Sequence, residues 1–286
     1  MYIYLNSEYV KAEDAKISIF DHGFLYGLGV FETFRVYKGH PFLLKDHLKR
    51  LQRSLDELGI DYLVKLEDVK EIIEGLLERN SLQQEDVSIR FNVSAGAGGE
   101  ILADQIFGNP TVFCFMRQLS SGTNQAKKGV LLQTKRSTPE GRFRMKSHHY
   151  MNNFMGKKET GNHPGAEGIF LTQDGHVAEG IVSSLFWVKN RKVCTPSLQT
   201  GILDGITRRF ILTLLDRLSI PCEEGLYKVS EMLSADEVFA VNSVQEIIPF
   251  SIIESVSFPG MEGEIAELLK KNYSNCRTQL WSKDEL

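Results

Sequence analysis

Short β-rich runs recur through this chain and are interleaved with helical patterns, so its fold must bury sheets against helices. MYIYLNSEYV, and VFETFRVYKGHPF with its Lys38-Gly39 turn, predict antiparallel strands. In KDHLKRLQRSLDELGI, Leu48, Leu51, Leu55 and Leu58 recur at helical spacing, and Gly59 is placed to end the helix. This pattern puts Arg50 off the buried stripe. A second helix, with Val69, Ile72, Ile73, Leu76 and Leu77 as its apolar face, leads into the β-rich runs VSIRFNVSAG and TVFCFMRQL. Together these predict a compact α+β domain over residues 1–119.

RQLSSGTNQAKKG carries too little apolar surface to offset the entropy of ordering it, which predicts a linker at 120–126. Beyond it, GVLLQTKR, EGIFLTQDG, VSSLFWVKN and DEVFAVNS predict strands, with helices near 146–160, 205–218 and 262–275. Asp174-Gly175 is a hairpin signal. The expected architecture is therefore two domains, α+β then α/β (127–286), with no internal repeat.

Composition narrows the function. A formal net charge of -4 provides no basic field for a polyphosphate backbone, so nucleic acid is not an expected partner. Cys114, Cys194, Cys222 and Cys276 are far apart without a CxxC pair, which fits reduced thiols in a cytoplasm. MYIYLNSEYVKAEDAK reads as a strand and not as a signal peptide, and no segment approaches a membrane-spanning length. The Lys283-Asp284-Glu285-Leu286 ending matches a retrieval address, and Asn92-Val93-Ser94 and Asn272-Tyr273-Ser274 match glycosylation sequons. Without an entry signal these short matches are expected by chance.

Several chemistries drop out. GLGVFE and GAGGEI lack the third glycine of a dinucleotide fingerprint, and GxxxxGK[ST], HExxH and GxSxG are missing. His148 and His149 are adjacent, a poor spacing for two ligands on one helical face, so a structural or solvent role is expected and no metal.

Six segments remain: HGFLYGLGVFETFR, DHLKRL, RMKSHHYMNN, DGHVAEGIVSSLFW, TGILDGITRR and VNSVQEIIP. In order and residue type they resemble the fold-type IV pyridoxal-phosphate enzymes, the class IV aminotransferase family. That family includes D-amino-acid and branched-chain aminotransferases and the bacterial aminodeoxychorismate lyases. The wording of HGFLYGLGVFETFR, KSHHYMNN and GILDGITRRF is most similar to the lyases.

The resemblance implies pyridoxal 5'-phosphate as cofactor and, residue by residue, its partners. Lys146 matches the amine that links the cofactor and then moves the substrate proton. Glu179 matches the anion beside the ring nitrogen, and Arg50, Ile206, Thr207 and Ser243 match the phosphate cup. Taken singly, these residues read as surface charges, a strand carboxylate or a first-turn residue. Arg90, His22, Tyr26, Arg142 and Arg144 are candidates for substrate carboxylates.

The resemblance further implies a homodimer, an active site at the domain interface, and elimination of pyruvate from aminodeoxychorismate to give p-aminobenzoate. An aminotransferase on the same fold is the nearer alternative, and a non-enzymatic binding module the farther one. The shared pattern of Tyr26, Gly27, Val30, Phe31, Glu32 and Arg35 does not exclude branched-chain aminotransferases. SAGAGGEILADQ does count against D-amino-acid aminotransferases, which carry an Arg/His pair there.

Overall fold

The computed structural model describes residues 1–102, 104–119, 125–161 and 165–286, which cluster into two compact units. Residues 120–124 of the expected linker lie outside the described residues.

The first unit takes the described residues of 1–121 together with Met145–His149 and Arg277–Glu285. Its elements are β1 (Tyr2–Leu5), β2 (Glu8–Lys11), α1 (His22–Tyr26), β3 (Gly29–Tyr37), β4 (His40–Pro41), α2 (Leu44–Leu58), α3 (Leu66–Arg79), β5 (Asp86–Ser94) and β6 (Thr111–Gln118). The sheet order is β2-β1-β6-β5-β3-β4. β3 and β5 pair antiparallel from Gly29↔Ser94 to Tyr37↔Asp86. Phe34, Val87, Ile89 and Phe91 on one face pack with Leu48, Leu51 and Leu55 of α2 and Val69, Ile73 and Leu76 of α3. Each such side chain contributes about 1.5–3 kcal/mol by leaving water. The Lys38-Gly39 turn joins β3 to β4, and Gly59 ends α2 in the left-handed conformation at φ 65°.

The α2 stripe is wider than its leucines predict. Asp46, His47, Arg50 and Ser54 are buried too, because this helix carries a polar flank as well as an apolar one. Arg50 is therefore inside, and its expected place off the buried stripe is corrected. The start of α2 is held by residues 277–285: Lys45 N donates to Trp281 O at 2.9 Å, and Asp46 accepts from Lys283 N at 2.7 Å and Ser282 Oγ at 3.3 Å. These bonds engage backbone and side-chain groups that a helix start otherwise leaves to water. Asn92, the first sequon asparagine, is buried within β5.

The second unit takes the described residues of 122–144 and 150–276 with Leu286. It contains β7 (Lys127–Leu131), α4 (Met151–Thr160), β8 (Ala166–Leu171), β9 (Val177–Gly180), β10 (Ser184–Lys189), β11 (Lys192–Pro196), α5 (Ile206–Arg217), β12 (Cys222–Gly225), α6 (Val229–Leu233), β13 (Glu237–Asn242), β14 (Glu246–Ile253), β15 (Val256–Ser257) and α7 (Glu264–Cys276). Strands run in the order β12-β11-β10-β13-β14-β7-β8-β9, with β15 paired to β14. Pairing is mixed: β11–β12, β14–β7 and β7–β8 are parallel and the other pairs antiparallel. Ile169, Val177, Leu185, Trp187, Val238, Ala240 and Phe250 form a core on this sheet. Gly175 turns β8 into β9 at φ 76°, as the Asp-Gly pair predicts.

The helix expected near 146–160 begins only at Met151. Residues 146–148 instead run beside the start of β3, with Phe31 N donating to Lys146 O and His148 N to Gly29 O, both at 2.9 Å. Backbone groups spent on a strand are unavailable to a helix.

Candidate active site

In the first unit the site grows from β3. Glu32 shares a strand face with the core residues Val30 and Phe34, and α2 answers it with His47 and Arg50, one turn apart. Arg50 donates through Nε to Oε1 and through Nη2 to Oε2 of Glu32, each at 2.7 Å, and His47 Nδ1 lies 2.7 Å from Oε2. Burial alone would raise the Glu32 carboxyl, but Arg50 and then His47 outweigh it and hold the group at about 2. Burial pushes His47 down against the pull of Glu32, leaving a neutral imidazole at pH 7. An ionised carboxylate only accepts, so His47 Nδ1 carries the proton.

Across the strand, three nitrogen-bearing side chains surround the Phe31 ring. Arg90 Cζ is 3.7 Å and Lys146 Nζ 4.7 Å from its centroid, and the His148 ring stacks at 6.2 Å and 28°. Arg90 also donates through Nε to Asn92 Oδ1 at 3.3 Å. Burial first, and Arg90 second, push His148 down to about 4, so it too is neutral. The glycines of HGFLYGLG make room: a Cβ on Gly29 would stand 2.5 Å from His148 Cε1, and Gly27, at φ 72°, passes equally close to His149. His22 is buried with its ring edge-on to Tyr26 and Phe107, and neither of its ring nitrogens finds a hydrogen-bond partner among the described residues. Tyr26 itself is exposed.

The second unit brings together a different set. Glu179 on β9 is buried; its Oε1 accepts from Arg136 Nε at 2.7 Å and its Oε2 from Leu203 N at 3.1 Å. Arg136 is steadied in turn by Asn152 Oδ1 at 2.6 Å and Asn153 Oδ1 at 3.2 Å, which explains the paired asparagines after the lysine motif. Arg144, expected among the substrate contacts, donates to Gly201 O and Ser137 O and lies 3.8 Å from Glu179. Arg142 is exposed.

α5 opens after Gly205, which has no side chain to cap it, so the amides of Ile206 and Thr207 point out of the helix start. Thr207 Oγ1 lies 3.2 Å from Ser243 Oγ, just beyond β13. An uncapped helix start with two hydroxyls beside it suits a phosphate, a buried arginine-held carboxylate suits a protonated ring nitrogen, and a half-buried lysine suits an aldehyde. The side chains present thus match the chemical needs of pyridoxal phosphate. Among the described residues no His, Cys, Asp and Glu cluster has the makings of a metal site.

Glu32, Phe31, Arg136 and Asn152 were not singled out as site residues from sequence. VFE and YMNN fall within the family-like segments, whereas Arg136, the last residue of the strand-like run GVLLQTKR, belongs to none of the six.

Residues 29–253 match the model of the amino-transferase class IV family. The chain belongs to that family. It is 48% identical over 95% of its length to 93% of the aminodeoxychorismate lyase of Bacillus subtilis. It is also 28% identical, over 95% of this chain and 96% of the relative, to a D-alanine aminotransferase of Staphylococcus epidermidis. The branched-chain aminotransferase of Thermoproteus uzoniensis, solved with norvaline, shares the fold at a TM-score of 0.85 and 26% identity, covering 96% of this chain and 94% of that one.

Proposed function

We propose that this chain is an aminodeoxychorismate lyase that uses pyridoxal 5'-phosphate to convert 4-amino-4-deoxychorismate into p-aminobenzoate and pyruvate. The observation that carries it is the 48% identity to a lyase over nearly the whole of both chains, against 35% to a putative branched-chain-amino-acid aminotransferase of Methanocaldococcus jannaschii and 28% to a D-alanine aminotransferase. The stretch SAGAGGEILADQ, with no Arg or His, supports the same choice.

When bound, the cofactor supplies a sink for the electron pair left by the departing proton. Lys146 Nζ would hold the cofactor covalently and, once displaced from it by the substrate amine, would take the proton from the substrate carbon that bears nitrogen. Glu179 would accept the hydrogen bond of a protonated ring nitrogen, and Arg136 holds the Glu179 carboxylate in place. By the family resemblance, Arg50, the Ile206 and Thr207 amides and the Ser243 hydroxyl would hold the phosphate. Arg90, with His22, Tyr26 and Arg142, receives the substrate carboxylates, whereas Arg144 backs Glu179. The electron pair left by the proton would expel the enolpyruvyl oxygen, the enolate would take up a proton and leave as pyruvate, and the substrate's carbon ring would become aromatic.

The same reading includes a homodimer and a cytoplasmic enzyme. Ile17, Ile19, Phe20, Phe24 and Leu25 are 46–69% exposed in one stretch, an apolar surface of the kind a second subunit covers. No helix among the described residues is long and apolar enough to cross a membrane, and all four cysteines are unpaired.

The test is to mix the purified protein with aminodeoxychorismate and follow p-aminobenzoate fluorescence, while D-alanine and L-leucine are offered separately and the cofactor spectrum is watched. Fast p-aminobenzoate release with slow side transamination is expected. Rapid transamination without p-aminobenzoate would overturn the lyase reading.

A further inference from the structure

Glu32 is a carboxylate at a strand position whose neighbours two residues away, Val30 and Phe34, belong to the hydrophobic core. Burying an ion pair there is a poor way to gain stability, because a well-packed apolar group of the same size does as well or better. The geometry of the pair explains its presence differently. Arg50 meets both Glu32 oxygens through Nε and Nη2 at 2.7 Å, which fixes the plane of the guanidinium and turns its Nη1 edge away from the carboxylate. His47, on the same face of α2, donates from Nδ1 to Oε2 at 2.7 Å and pins the carboxylate in turn. All three side chains are at least nine-tenths buried, so water does not compete for these bonds.

We propose that Glu32, steadied by His47, is a positioning residue that aims Arg50 at an anionic group, the cofactor phosphate. This rests on the reading of Arg50 as a phosphate ligand. A charge argument alone predicts the reverse effect, since removing a carboxylate beside Arg50 would leave more positive charge for a phosphate. Orientation and charge therefore give opposite signs, which makes the proposal testable.

Holoenzyme of the wild type, Glu32→Asp, Glu32→Gln and Arg50→Ala is gel-filtered, and loss of cofactor absorbance is followed with time. The same proteins are loaded with pyridoxal, which lacks the phosphate, as a second probe. Glu32→Asp keeps the charge but shortens the side chain by one methylene, so the two-point contact is lost. Both Glu32 variants are expected to lose pyridoxal phosphate about tenfold faster, equivalent to about 1.4 kcal/mol, with retention of pyridoxal unchanged. If the Gln variant does not fold, the Asp variant decides. Wild-type retention in Glu32→Asp, tighter retention in Glu32→Gln, or equal loss of both probes would overturn the proposal. Wild-type retention in Arg50→Ala would instead remove Arg50 from the phosphate, and with it the premise.

Discussion

The two units use one device with the charges exchanged. In the first, the cation proposed to meet the cofactor phosphate, Arg50, is held by a buried carboxylate, Glu32; in the second, the anion proposed to meet the ring nitrogen, Glu179, is held by buried guanidinium groups, Arg136 and Arg144. A lone buried charge would shift its protonation or draw in water. Supplying each such charge with an internal counter-charge fixes its position before any ligand arrives. The difference lies in what surrounds the pair: Glu32 also takes His47, whereas Glu179 also takes a backbone amide from Leu203.

The residue that stands outside this symmetry carries the largest expected effect. Lys146→Ala should lower p-aminobenzoate formation by at least about four orders of magnitude, because proton transfer alone accounts for roughly 10²–10⁴ and the covalent link is lost as well. Circular dichroism should show the fold unchanged. In the wild type, borohydride reduction and peptide mapping should place the cofactor on Lys146, and an adduct on Lys157 or Lys158 would refute the assignment.

Breaking the second unit's pair from the cation side should cost stability. Arg136→Met removes the direct Nε contact to Glu179 and leaves only Arg144, 3.8 Å away, and the Leu203 amide, and chemical denaturation should show a loss of about 1–3 kcal/mol. Breaking it from the anion side should cost chemistry instead. Glu179→Gln is expected to retain cofactor yet slow turnover about a hundred- to a thousandfold, with a shifted cofactor spectrum. Equal activity of this variant and wild type would place the ring-nitrogen partner elsewhere.

The first unit's pair should show itself in acid. Glu32 is held near 2 against an ordinary 4.5, so its contribution is complete above about pH 4.5 and is lost as the pH falls toward 2. That window is worth about 3 kcal/mol at full burial. His47 and His148, kept neutral by burial, also remove stability as pH falls below the ordinary histidine value of 6.5. In Glu32→Gln the loss between pH 5 and pH 3 should be shallower than in wild type. An unchanged acid limb would mean that Glu32 titrates normally.

Much of this protein was legible in its sequence because local rules set it. The leucine spacing of α2, the stop at Gly59 and the turns at Lys38-Gly39 and Asp174-Gly175 depend on nearest neighbours along the chain, and the motif order was enough to indicate the family. Partnerships were not legible, because they depend on which elements lie side by side. Arg50 reads as a helix-surface cation until β3 presents Glu32, 18 positions earlier, and Arg136 reads as an anonymous strand-end charge until β9 presents Glu179, 43 positions later. Lys146 reads as helical until the backbone beside it bonds to the start of β3. Periodicity records which face of an element is apolar. Only tertiary packing decides which buried charge faces another, because two groups far apart in the chain are brought within 2.7 Å by the packing of their elements, a relation that residue spacing does not encode.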